Sequence, residues 1–278
     1  MTRLVVDSTC DLPAATMKAM DILMVPLKVH FGDEVFRDKI ELDDEGFFDK
    51  LESVTELPTT SQPSPGDFLE VYRQIPPGET ILSIHVAEQL SGTQQSARLA
   101  ATELPDRDIR VIDSGNLTAA AGLLVIIAAE MIKEGKSPDE IEARIADLRP
   151  RTRLLAILDT LKYAIMGGRV SRLQGTIGGL LRVKPLMLIK EGEIHRMTPA
   201  RTWRQAYQKV VEDIQEHGGP ERMSVIDARA PENREALRKV LAEHFPGVPL
   251  TEGNIGAVVG THGGPGAAAC AYIAKKAD

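Results

Sequence analysis

Leu82-Ser-Ile-His-Val-Ala-Glu-Gln-Leu-Ser-Gly-Thr-Gln-Gln-Ser-Ala-Arg-Leu-Ala-Ala101 is the stretch that decides how the first half of the chain folds. Its apolar opening reads as a short strand, and its alanine-rich end reads as a helix. Between them, Ser91-Gly92-Thr93 is a helix opening made of small hydroxyl residues and a glycine. Such an opening can hold an anion, because the first N–H groups of a helix lack intrahelical partners. It carries no lysine and none of the glycine spacing of a phosphate loop. The anion it suits is therefore left open by the loop alone.

Working outward, strand and helix signals alternate. Leu4-Val5-Val6 is a short apolar run that stops at Asp7-Ser8-Thr9. Residues 22–31 are rich in apolar and β-branched side chains, with Pro26 marking an edge or a bend. Ser64 and Ser137 each precede a proline and read as N-caps, the second of a helix reaching about Leu148. Residues 109–113 read as a strand and residues 118–133 as a mostly apolar helix. This alternation predicts a three-layer α/β/α domain over residues 1–150, built on a parallel sheet covered on both faces. Arg149-Pro150-Arg151 is the expected boundary. Residues 151–278 predict a smaller α+β domain with a mixed sheet, including a hairpin that turns at Glu191-Gly192.

Composition narrows the function. The 278 residues carry a formal net charge of -7, which excludes a general nucleic-acid binder, and 4% aromatics leave little for base stacking. Cys10 and Cys270 are the only cysteines and read as buried small residues in a reducing cytoplasm. No metal-ligand spacing is present, so neither a metal nor a cofactor is expected. The N-terminus enters a strand directly and does not read as a signal peptide. The longest apolar run, residues 119–129, falls short of the roughly 20 residues that span a bilayer. A cytoplasmic protein is expected.

Ligands of open parallel sheets bind at the carboxyl ends of the strands. Here Asp7-Ser8-Thr9, Ser91-Gly92-Thr93 and Asp113-Ser114-Gly115-Asn116 are expected to converge there on one crevice. Gly135-Lys136-Ser137 imitates the end of a phosphate loop, but no strand precedes it. Gly264-Pro265-Gly266 imitates a dinucleotide fingerprint, but too little chain follows. His262, flanked by glycines, is the one histidine placed in a loop, and Pro265 is expected to start a helix leaving it. The other five (His30, His85, His195, His217, His244) read as packing or solvated positions.

Seven motifs in series then resemble the DegV family across nearly the whole chain. They are Val6-Asp-Ser-Thr-Cys-Asp-Leu-Pro13, Pro58-Thr-Thr-Ser-Gln-Pro-Ser64, Leu90-Ser-Gly-Thr93, Val111-Ile-Asp-Ser114, Gly167-Gly-Arg-Val-Ser171, Lys184-Pro185 and Gly260-Thr-His-Gly-Gly-Pro-Gly266. The resemblance implies an α/β first domain related to dihydroxyacetone-kinase-like proteins, and a long-chain fatty acid such as palmitate or oleate held between the domains. It implies that Thr60 with Ser61, Ser91 with the N–H groups of Gly92 and Thr93, and His262 hold the carboxylate. It further implies a non-enzymatic carrier that presents the carboxyl group to a separate ATP-dependent fatty-acid kinase, with Arg169 and Arg201 as contacts to that partner. A monomer is the default expectation.

Elementary energetics agrees with such a ligand. An acyl chain of about 14 methylenes gains roughly 11 kcal/mol when fully buried. Leu161, Ile165, Met166, Ile177, Leu180, Leu181, Met187 and Ile189 are candidates to line its tunnel, though any domain core needs the same residues. The carboxylate costs several kcal/mol to bury without converging donors, which hydroxyls, helix N–H groups and an imidazole supply. A charge on His262, if the nearby anion raises its pKa, would add to them. The competing expectation is an acyl hydrolase or transferase with Ser91 as nucleophile and His262 as base. The absence of a G-x-S-x-G elbow and of a carboxylate to orient His262 weighs against it. A dihydroxyacetone-type kinase subunit is disfavoured, since no histidine is poised for a covalent hemiaminal.

Overall fold

The computed structural model describes residues 1–169 and 183–276. The chain begins with β1 (Thr2–Asp7), a single 3-10 turn at Ser8–Cys10, α1 (Ala14–Ala19), β2 (Ile22–Val25), β3 (Lys28–Phe31) and β4 (Glu34–Arg37). It continues with α2 (Asp44–Ser53), β5 (Thr59–Ser61), α3 (Pro65–Gln74), β6 (Thr80–His85), α4 (Thr93–Thr102), β7 (Ile109–Asp113), α5 (Thr118–Lys133) and α6 (Pro138–Leu148). The second half holds β8 (Thr152–Ile157), α7 (Lys162–Met166), β9 (Leu186–Lys190), β10 (Glu193–Arg196), α8 (Trp203–Glu216) and β11 (Pro220–Asp227). It ends with α9 (Pro231–His244), β12 (Leu250–Asn254), α10 (Ala257–Gly263) and β13 (Ala268–Ala274).

Among the described residues the strands form three sheets. The first is parallel, in the order β2-β1-β6-β7. The second runs β10-β9-β8-β13-β11-β12 and is antiparallel except for the β11–β12 pair. The α/β fold with one parallel and one mixed sheet is thus as the sequence predicts. A third, small antiparallel sheet, β4-β3-β5, was not anticipated. Its origin is Pro26, which lacks an N–H for a ladder and breaks residues 22–31 into two strands of different sheets. Ser64 and Ser137 both form capping boxes ahead of their prolines. Contrary to expectation, Pro265 starts no helix. Gly264 and Gly266 sit at φ 75 and 83, and the chain turns directly into β13. The alanines there, good helix formers by propensity, are small residues buried along a central strand whose every position is covered.

The elements stack in layers around α5. Helices α3 and α4 cover one face of the parallel sheet through Phe68, Tyr72, Ala97 and Ala100. On its other face lies α5, which packs against β1 and β6 and also against β8, β11 and β13 of the mixed sheet. Helices α8 and α9 cover the far face of the mixed sheet through Val210, Ile214, Leu237 and Leu241. One core therefore joins Leu82 and Ile84 of the first sheet, Leu123 and Leu124 of α5, and Leu154 and Ile273 of the second. Gly122 is required because a Cβ there would press to 2.9 Å from the Cys10 carbonyl oxygen.

The N-terminus of α5 is tied down by a buried aspartate. Asp11, at φ 50, accepts hydrogen bonds from Thr118 Oγ1 (2.6 Å) and from the Gly256 N–H (3.0 Å), and pairs with Lys39 Nζ at 3.0 Å. One carboxylate thereby joins the turn after β1, the start of α5 and the start of α10. Burial works against the Lys39 ammonium, but Asp11, Asp44 and Asp38 outweigh it and hold its pKa above the usual value.

Asp38, 1% exposed, completes no hydrogen bond at either carboxylate oxygen. Burial pushes its pKa up to about 7, with the Lys39 charge softening the penalty. The folded state therefore keeps the Asp38 proton to higher pH than the unfolded chain, and stability is lost as pH rises from about 4 through about 7. Asp38→Asn is expected to stabilise the protein by on the order of 2–4 kcal/mol at pH 8, with the gain shrinking toward zero near pH 4. Urea unfolding at several pH values checks this; a pH-independent difference would contradict it.

Candidate functional site

A cavity of about 550 Å³ opens at the carboxyl ends of the parallel strands, between the two halves of the chain. The turn after β1 contributes Thr9, and the loop after β6 contributes Val86, Glu88, Gln89, Leu90, Ser91 and Gly92. The third turn expected there, residues 113–116, does not line it. Ser114 and Asn116 are buried, and Asn116 donates to the Thr152 carbonyl, bracing the start of the second sheet. Opposite these loops stand Thr60, Ser61 and Gln62 at β5 and Val258, Val259 and His262 of α10. Leu27, Leu117 and Ile194 complete an apolar wall.

Of the expected carboxylate-binding residues, Thr60, Ser61, Ser91, Gly92 and His262 all line this one cavity. Thr60 lies on a strand rather than a loop, and its Oγ1 is 3.1 Å from His262 Nε2. His262 lies on the last turn of α10, not in a loop. The sequence pattern hid this because glycines dominate residues 256–266, yet Gly256 and Gly260 sit within a short helix and at its N-cap. Thr93 stands behind the wall, fully buried. Its N–H donates to Ser91 Oγ at 3.3 Å, and its hydroxyl is 2.8 Å from the same atom. Ser61 Oγ is 2.8 Å from Nε2 of His30, so that histidine is neither simply packed nor solvated. Strand pairing over a distance in sequence makes that contact, and no local signal announces it.

Beneath the cavity floor lies a second polar group. Asp7 accepts from the Thr9 N–H (3.0 Å), the Val86 N–H (2.9 Å) and the Thr9 hydroxyl, with His85 Nδ1 at 3.2 Å. Burial works against this anion, but His85, Thr9 and Val86 outweigh it and hold its pKa below the usual carboxylate value. His85 continues to Ser83 Oγ (2.6 Å), and that to the Tyr72 hydroxyl (2.7 Å). The network fixes the ends of β1 and β6, and with them the two loops that form the floor.

His262 is the electrostatic focus. Burial first, and the positive Arg169 second, push its pKa down to about 4, so it is neutral at pH 7 in the free protein. Its Nδ1 is buried without a hydrogen-bond partner. A Cβ on Gly167 would run into that atom, so only glycine lets the backbone lie this close to the ring. Arg169 lines the cavity mouth and donates to the Gly167 carbonyl at 2.9 Å. Arg201 is exposed at the chain segment before α8 and does not line the cavity. Among the described residues no hydrogen bond joins Ser91 to His262, and no carboxylate contacts the ring.

The acyl-tunnel candidates fare differently. Met187 and Ile189 are buried in the shared core, Leu161 and Ile165 pack against it, and Met166 is exposed. None of these five lines the cavity. Ile177, Leu180 and Leu181, like Ser171 of the Gly167–Ser171 motif, lie outside the described residues. The apolar wall instead uses Leu27, Val86, Leu117, Ile194, Val258 and Val259.

The chain matches known proteins along its whole length. A family model for the uncharacterised DegV family covers residues 1–275. The Bacillus subtilis protein DegV is 33% identical over 276 residues, 98% of each chain. A fatty-acid-binding DegV family protein from Thermus thermophilus superposes with a TM-score of 0.88 at 32% identity, over 98% of this chain and 99% of that one. A stearic-acid-binding protein from Eubacterium ventriosum superposes with a TM-score of 0.90 at 26% identity, over 99% of each. With its sequence and its fold both matching over nearly the whole length, the chain belongs to the DegV family.

Proposed function

We propose that this protein binds a long-chain fatty acid in the cavity between its two sheets and presents the carboxyl group to a partner, an ATP-dependent fatty-acid kinase. The observation that carries this reading is a cavity with an apolar wall at Leu27, Leu117 and Val258 and a cluster of hydroxyls and imidazole at Thr60, Ser91 and His262. The family's fatty-acid-binding members support it. The reading extends to a monomeric cytoplasmic carrier divided near residue 150, with Arg169 and Arg201 contacting the kinase. Among the described residues no helix is long and apolar enough to cross a membrane.

Hydrogen bonding explains how an anion is held without a full ion pair. With its proton on Nε2, His262 donates to Thr60 Oγ1, which leaves the Thr60 hydroxyl proton for the ligand. Thr93 donates its N–H to Ser91 Oγ, and when its hydroxyl donates there as well the Ser91 proton is left for the ligand too. The first N–H groups of α4 add the positive end of its backbone dipole. Arg169 at the mouth complements the charge at longer range.

Ser91→Ala and His262→Ala are each expected to weaken oleate binding about 10- to 100-fold, the size of a lost hydrogen bond to a charged group. Isothermal titration calorimetry reads the change, and wild-type affinity in both variants would contradict the assignment. A second expectation concerns protonation. His262 in the ligand-free protein titrates near pH 4, and a bound carboxylate moves that titration upward. Because its folded pKa lies below the unfolded value of about 6.5, the unfolded chain binds the proton first, and stability falls as pH drops from 6.5 toward 4. Nitrogen-detected NMR of the imidazole, with and without oleate, checks both values; an unchanged titration on loading would place the carboxylate elsewhere.

A further inference from the structure

We propose that His30, which does not line the cavity, is a positioning residue for the carboxylate site and acts through Ser61. The inference rests on the fatty-acid reading above and concerns how one of its hydroxyls is aimed. In the small sheet, His30 pairs with Thr59, Val29 with Thr60 and Lys28 with Ser61. Thr59 and Ser61 share one face of β5, and the His30 side chain crosses that face diagonally, a reach that suits a long side chain. Its Nε2 arrives 2.8 Å from Ser61 Oγ. Thr60 faces the other way, toward His262. The two neighbouring hydroxyls are thus each backed by an imidazole, one from α10 and one from β3.

Among the described residues no other side chain performs this task. Lys28, the register partner of Ser61, is committed to Asp67 Oδ2 at 3.1 Å. Among the described residues His30 is the only side-chain hydrogen-bond partner of Ser61. A serine hydroxyl has one proton to give. When His30 Nε2 carries a proton and donates it to Ser61 Oγ, the Ser61 proton is free to point into the cavity at an anion. When Nε2 is the acceptor, the Ser61 proton is spent on His30 and lone pairs face the ligand. A bound carboxylate selects the first arrangement, and His30 can supply it without touching the ligand.

The test is the affinity for oleate, by isothermal titration calorimetry, of wild type, His30→Phe, His30→Gln, Ser61→Ala and the His30→Phe/Ser61→Ala double variant. His30→Phe is expected to weaken binding about three- to tenfold, the range of one hydrogen bond. His30→Gln, whose amide can still donate, keeps affinity within about twofold. In the Ser61→Ala background, His30→Phe has no further effect. Equal affinity of His30→Phe and wild type overturns the inference, and so do losses that simply multiply in the double variant. Wild type that takes up no oleate overturns the fatty-acid reading itself, and the role of His30 with it.

Discussion

The described elements are arranged around a helix buried on nearly every side from Thr118 to Ala129. Helix α5 is apolar nearly all round, and a helix of that kind must be enclosed. A single sheet can cover only one side of it, so the chain builds two and places α5 between them. The usual three-layer arrangement becomes a stack of five: helices, parallel sheet, α5, mixed sheet, helices. The two halves share one apolar core across this helix. The start of α5 is also where the cavity begins, since Leu117 immediately precedes it and lines the wall. Asp11 then fixes the start of α10 to the start of α5, which sets His262 opposite the parallel sheet.

The chemistry of the cavity follows from how its polar groups are paired. Most of the polarity beneath it is already satisfied: Asp7 is surrounded by donors and remains an anion despite burial. That network rigidifies the loops and leaves little unpaired negative charge to repel a carboxylate. On the walls, Thr60, Ser61 and Ser91 each have a protein hydrogen-bond partner: His262, which also lines the cavity, and His30 and Thr93, which do not. Hydroxyls that accept from these partners are donors toward the cavity. A neutral His262 serves this purpose better than a charged one in the empty site, where an unpaired imidazolium would be costly to bury.

Much of this was legible in the sequence for physical reasons. Strand–helix alternation with capped, proline-led helices forces a covered parallel sheet, and the hydroxyl turns at Asp7–Thr9 and Ser91–Thr93 do stand at its strand ends. The residues that were hard to place are those whose role depends on distant pairing. His30 looks like an ordinary strand residue until β5 is laid beside β3. Alanines 267–269 suggest a helix until the mixed sheet needs a thin, fully buried central strand. The glycines around His262 suggest a loop because propensity counts them as breakers, whereas close packing against Phe47, Phe48 and Tyr163 demands small residues. Tunnel-lining residues were the least legible, because core and cavity draw on the same apolar side chains.

The central claim is that the cavity holds one long-chain fatty acid by its carboxylate. Mass spectrometry of an organic extract from the purified protein tests it most directly. The account predicts a long-chain fatty acid near one equivalent per chain, lost when Ser91 or His262 is replaced by alanine. An empty extract, together with no uptake of added palmitate or oleate, would contradict it.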